Sequence, residues 1–281
     1  MITVNSLSGG KTSSYIAANY PANYNVFALV RIEDKSSMFP DKKIRQKVED
    51  KIQAPFIATA EDDMIIYTMF DLEQYLGKEI IWVTGKTFDK VLDSAGTLPD
   101  PLRRYCTTQM KLEPMFEWWR KEINIPCEFR LGFRANEQSR AKRTLDKTNN
   151  NGFLEMKAIV GKFGSRNKWD MVEWQKPTFP LIIDNIYKDN VELFWKDKPV
   201  RFAWMNNCVG CFHKNPILIR KMYENHPNKI KWFASKERIK HIKDVWYKDK
   251  ELSFSDIMKW NPQMELFQDD FNECDSGYCG I

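Results

Sequence analysis

No apolar run in the 281-residue chain approaches the ~18 residues that a membrane-spanning helix needs. A charged-then-apolar leader is lacking too, since strand-forming residues begin at Ile2. A cytoplasmic protein with no membrane partner is therefore expected. Internal repeats and low-complexity tracts are missing, which removes repeat arrays and linker-like chains. Strong charge is also lacking. The net charge of +5 permits phosphate-rich partners without demanding them. A reducing compartment disfavours disulfides, so the six cysteines point to metal or redox chemistry.

What the sequence does hold is an aromatic load of ten Trp and eighteen Phe, ample for a large packed core. Runs of β-formers alternate with helical patterns through about residue 140. Strands are expected at Ile2–Leu7, Val26–Ile32, Glu79–Thr84 and Cys127–Phe133. Helices are expected over Ser13–Asn19, Asp41–Lys51, Asp62–Leu76 and, despite Pro114, Gln109–Glu122. This alternation implies an α/β fold with a Rossmann-like parallel sheet flanked by helices. Asn149–Gly164 is rich in Asn and Gly and reads as a hairpin or a mobile loop. Asp184–Lys198 and Pro216–Asn225 read as helices. Lys229–Lys250 interleaves basic and aromatic residues, a pattern of nucleic-acid contacts and equally of solvated helix faces with inward aromatics.

The first strand runs into Ser8-Gly9-Gly10-Lys11-Thr12-Ser13. Glycines let the backbone turn sharply there, and the next helix offers free N–H groups and the positive end of its dipole. Ser8, Thr12, Ser13 and Ser14 add hydroxyls and Lys11 adds charge, so the turn reads as a phosphate or pyrophosphate site. It is not a Walker loop, which needs a glycine where Asn5 stands. The dinucleotide spacing of glycines fails as well.

Ser-Gly-Gly-x-x-Ser after an amino-terminal strand resembles the PP-loop of the ATP pyrophosphatase superfamily. Three later segments resemble the PAPS-reductase-like (phosphoadenosine phosphosulfate reductase) group within it, in family order. They are Leu131-Gly132-Phe133-Arg134-Ala135-Asn136-Glu137-Gln138-Ser139-Arg140, the stretch from Arg103 through Cys106 and Lys111 to Pro114, and Pro180-Leu181-Ile182. The resemblance implies an adenine nucleotide held by Ser8, Gly9, Gly10, Lys11, Thr12 and Ser13. Arg134 and Arg140 would bind its far anionic group, oriented by Glu137, which is alternatively a metal holder. Arg103, Arg104 and Lys111 would add positive charge nearby. A PP-loop nucleotide-binding domain over residues 1–200 and a helical, cysteine-containing region over 201–281 are expected.

Cys208-Val209-Gly210-Cys211 brings two thiols within reach of one metal, and Cys274 and Cys279 form a looser pair. Cys127 reads as a small core residue. A zinc site would take Cys208, Cys211, Cys274 and Cys279, with His213 as an alternative ligand. The family likeness favours a 4Fe–4S cluster on Cys106, Cys208 and Cys211, with a tail cysteine, Cys279, as fourth ligand. It also assigns a catalytic thiol to the tail, matched in part by Glu273-Cys274 and in part by Cys279-Gly280. The implied activity is adenylation of an acceptor with Mg²⁺-ATP and release of pyrophosphate, in sulfur-related chemistry, with Lys11, Arg134 and Glu137 in the catalytic set. Two alternatives stand beside it: a sulfonucleotide reductase releasing sulfite through Cys274, and a non-catalytic, zinc-binding, nucleic-acid-associated protein. The implied partners are a nucleic acid such as DNA or tRNA, or a protein donor of sulfur or electrons.

Overall fold

The structure is a computed structural model that describes residues 1–206, 208–237 and 252–260. The chain runs β1 (Thr3–Leu7), α1 (Lys11–Asn19), β2 (Tyr24–Ala28), β3 (Arg31–Ile32), α2 (Lys42–Ile52), β4 (Ala58–Thr59), α3 (Met64–Leu76), β5 (Ile80–Val83) and α4 (Phe88–Ala95). It continues through α5 (Tyr105–Thr107), α6 (Glu113–Glu122), β6 (Cys127–Arg130), α7 (Gln138–Leu145), β7 (Leu154–Phe163) and β8 (Arg166–Thr178). The remaining helices are α8 (Pro180–Ile183), α9 (Lys188–Trp195), α10 (Pro216–Asn225), α11 (Pro227–Lys236) and α12 (Phe254–Lys259).

Six strands form one sheet in the order β5-β2-β1-β6-β8-β7. Every neighbouring pair is parallel except β7 and β8 at the edge. The fold is thus α/β, with a mostly parallel sheet flanked by helices. Both faces of its inner strands are buried, which is why they read as unbroken apolar runs. In β2, Val26 and Ala28 face a cluster with Phe116 and Trp119 of α6. Phe27 and then Leu29 face the opposite cluster, built on α1, α2, α3 and α9. A third cluster joins Val30, Phe88 and Met110 to Leu218, Phe233 and Ile257, so the described carboxy-terminal helices pack onto the α/β part.

The chain builds outward from β1 to β2 and β5, then crosses to β6 and β8 on the other side. Strand order therefore reverses between β1 and β6. Parallel sheets bind ligands outside the carboxyl ends of strands at such a reversal.

Several expectations need correction. Val26–Ile32 is two strands, because the last bond to the main sheet is Leu29 N–H to Val83 O, 2.9 Å. Arg31 then donates to Thr84 Oγ1, Pro55 O and Gly85 O, and the chain leaves to pair β3 antiparallel with β4. The helix expected from Gln109 starts earlier, at Tyr105, and passes through a π-helical turn, Thr108–Leu112. That turn puts Pro114 in the first turn of α6, where a missing N–H costs least. The strand expected to reach Phe133 stops at Arg130. Asp184–Lys198 is helical only over Lys188–Trp195, after a left-handed residue at Asn185 (φ 54°). Asn149–Gly164 contains the first arm of a hairpin whose second arm, β8, is thirteen residues long. The many charged residues of β8 concealed it.

Trp119 sits in the α6 face of the core, stacked on Phe116 with ring centroids 5.4 Å apart. Truncation to alanine there removes a large buried ring. Trp119→Ala is expected to lower unfolding free energy by about 3–5 kcal/mol, read from urea denaturation of both proteins.

Candidate functional site at the strand-order reversal

The turn Ser8–Ser13 lies at the carboxyl end of β1. Gly9 has φ of +79°, a conformation that side chains resist, and a Cβ there would stand 2.4 Å from Ile65 Cγ2 of α3. Gly10 caps α1 with extended backbone and no side-chain bond. The first-turn amides of Lys11, Thr12 and Ser13 have no acceptor within the helix. Ser13 Oγ organises the turn: it donates to Gly10 O at 3.1 Å and lies 3.1 Å from both the Ser8 amide and Ser8 Oγ.

The expected second segment meets this turn. A Cβ on Gly132 would be 3.4 Å from both Cα and N of Ser13. Past Gly132, the Glu137 carboxylate accepts from the Arg134 amide (2.8 Å) and Arg134 Nε (3.1 Å) on one oxygen. Its other oxygen accepts from Arg140 Nη1 at 2.9 Å. Glu137 thus orients both arginines, as one of the two expected roles. The Arg140 guanidinium also stacks 4.0 Å above the Phe133 ring.

Lys11 lies on the side of α1 that faces α9 and forms an ion pair with Glu192. Arg103 pairs with Asp100 at 2.7 Å and Lys111 with the buried Glu61 at 2.9 Å. Arg104 donates from Nε to Pro101 O (3.1 Å) and lines a cleft of ≈ 680 Å³, which it shares with Phe133 and Arg140.

Cys106, Cys208 and Cys211 come from two distant parts of the chain and line one small cavity of ≈ 50 Å³, together with His213. Its other walls are mostly apolar, among them Val30, Phe88 and Phe233. Among the described residues, no three His, Cys, Asp or Glu side chains are close enough to hold a single metal ion. Cys274 and Cys279 lie outside the described residues. Cys127 is fully buried, and burial pushes its thiol up to about 12, opposed by a Trp119 hydrogen bond. It is an inert core residue, as its place in a strand implied.

Three residues that no motif marked tie these parts together. Asn206 covers the Ser8–Ser13 turn, since a Cβ on Gly10 would be 2.5 Å from its Nδ2. Lys214 is fully buried and donates to Asn206 O (3.0 Å) and Cys208 O (2.7 Å), so it fixes the cysteine turn and the Asn206 cover together. Glu61 bridges to Cys208 as an isolated β-pair. Next to it, Asp62 accepts from His226 (3.1 Å) and Asp63 from Lys229 (2.7 Å). A lysine after a Cys-x-x-Cys turn reads as a solvated charge, so the sequence carried no signal for it. The described part of the basic-aromatic segment resolves toward the core: Lys229, Trp232 and Phe233 are buried in α11.

No protein-family model, curated protein or solved structure matches the chain.

Burial works against the charge on Asp62, but the His226 bond, the Met64 amide and the charges of His226 and Lys229 outweigh it and hold the carboxyl below its ordinary 3.8. The folded state thus releases this proton more readily than the unfolded one. The stabilisation is complete above 3.8 and is lost as pH falls through the lowered value. Asp34, Asp71 and Asp100 are lowered as well. Asp62→Asn should therefore flatten, without abolishing, the fall in urea-unfolding free energy between neutral pH and the acid limb. An unchanged acid slope in this variant would remove Asp62 from the account.

Proposed function

We propose that the chain is a PP-loop enzyme of the PAPS-reductase-like group. It binds an adenine nucleotide with Mg²⁺ at Ser8–Ser13 and activates an acceptor by adenylation, with release of pyrophosphate, in sulfur-related chemistry. The observation that carries the reading is the contact of Gly132 with Ser13 at the reversal of strand order. Two segments more than a hundred residues apart, each resembling the same group, meet where this sheet class binds ligands.

The residues divide the work. The α1 amides and the Ser8 and Ser13 hydroxyls hold the departing phosphates. An acceptor oxygen attacks the α-phosphorus, the bond to the bridging oxygen breaks, and pyrophosphate leaves with that electron pair. The acceptor's proton passes to solvent or a nearby base. A sulfur nucleophile then displaces AMP. Lys11 turns from Glu192 to the phosphates, since a half-exposed pair of this kind is worth only about 0–1 kcal/mol. Arg134 and Arg140, fixed by Glu137, hold the remaining anionic group.

Cys106, Cys208 and Cys211 would hold a 4Fe–4S cluster, with Cys279 as fourth ligand. Their convergence on one largely apolar cavity supports this. A cluster spreads its thiolates over several irons and so accepts wider ligand spacing than one ion does. When bound, it supplies one-electron chemistry beside the nucleotide.

Incubation of the protein with ATP should release pyrophosphate. Ser8→Ala should weaken ATP binding about tenfold or more, the cost of a charge-assisted hydrogen bond. Gly9→Ala, strained by its positive φ, should weaken it further. Full ATP affinity in both variants would end the nucleotide reading. Sulfite from PAPS would replace it with a sulfonucleotide reductase.

Protein purified without oxygen should be brown and contain iron, and Cys106→Ser and Cys208→Ser should each lose the colour. A colourless protein with one zinc per chain would put a structural zinc site in place of the cluster.

A further inference from the structure

The cleft that Arg140 and Phe133 share with Arg104 is not used by the nucleotide turn itself. Its floor is basic. Arg140 and Arg143 stand three apart on α7, so they share its face, and Lys147 follows the last turn. Its opposite wall is the base of the β7–β8 hairpin, including Met171. Of the acids on this hairpin, Glu155 also lines the cleft; Asn149 donates to Glu155 and Glu173, and Asn151 to Glu173.

Beyond the cleft the hairpin stands in solvent, with every residue from 160 to 171 exposed. Trp169 is 54% exposed and Phe163 84%. Trp169 lies two residues before Met171 on β8, and Lys157 pairs opposite Met171, so all three share one face of the ribbon. Lys162, Arg166 and Lys168 add charge at its tip. A basic channel leading to a ribbon with an exposed indole fits a polyanion that also carries flat apolar rings. A single-stranded nucleic acid has both, since its phosphates track the charges and its bases stack on the aromatic. An acidic peptide matches the charge alone.

We propose that this cleft and hairpin bind a single-stranded nucleic acid and deliver it to the nucleotide site as the acceptor. Arg140 belongs to the cleft, and through Glu137 it is tied to Arg134 beside the nucleotide turn. Thr107 of α5 lines the cleft on one side and the cysteine cavity on the other. The three sites therefore adjoin. The acceptor role rests on the adenylation reading above; the binding surface does not.

The test uses the full chain, fluorescent single-stranded DNA and RNA oligonucleotides, and anisotropy across a salt series. Wild type should bind at least one of them, with affinity falling steeply as salt rises. Arg143→Ala with Lys147→Ala should remove about two phosphate contacts and make the log–log salt slope shallower by about 1.4. Trp169→Ala should weaken binding about tenfold at one salt concentration. ATP affinity should stay at the wild-type value in both variants, because none of these residues touches the nucleotide turn. Absence of oligonucleotide binding at low salt, wild-type slopes in the variants, or equal displacement by polyglutamate would each overturn the proposal. A protein that binds the oligonucleotide yet shows no ATP binding overturns the adenylation reading and the acceptor role, and keeps the surface.

Discussion

Close packing around two glycines is the constraint on which the rest of the site depends. Gly9 presses against Ile65 of α3 and Gly10 lies under Asn206, while Ser13 touches Gly132. A turn held on three sides cannot relax to fill itself, and its Ser8 amide is already tied to Ser13 Oγ. That pre-organisation is what a phosphate needs, because no backbone reorganisation is then left for binding to offset. It also fixes the turn to three different parts of the chain.

One of those parts is the cysteine turn. Lys214 links it to Asn206 by donating to the carbonyls of Asn206 and Cys208, from a site without solvent contact. A buried ammonium persists only when such acceptors surround it. Glu61 extends the same logic: it is fully buried, meets Lys111, and leaves Oε2 without a hydrogen-bond partner among the described residues. Breaking such a pair by removing one member costs about 3–5 kcal/mol, since the other charge remains buried. The ionic layer between turn and cavity therefore acts as structure, and it is unforgiving of substitution.

The strand and helix periods, the Gly pair after β1 and the helix beginning near Asp41 were all legible in the sequence, because each depends on residues close in the chain. Misreadings arose where distant partners compete with local preference. Arg31 leaves the sheet because Thr84, Pro55 and Gly85 offer it acceptors. β8 forms a strand through its charged stretch because β7 pairs with it along nearly its whole length. Lys11 carried the expected charge, yet its direction depends on Glu192, which lies 181 positions away.

By itself the sequence determined the α/β class, the glycine turn after the first strand and the inert core role of Cys127. All three follow from local propensity, local charge and burial in an apolar run. Tertiary structure alone decided that Asn206 covers the turn, that Lys11 pairs with Glu192, and that a buried lysine fixes the cysteine turn. These are contacts across many residues, set by sheet order and close packing, and no spacing rule along the chain encodes them. The turn after the first strand packs, in three dimensions, against Ile65, Asn206 and Gly132 from three separate parts of the chain.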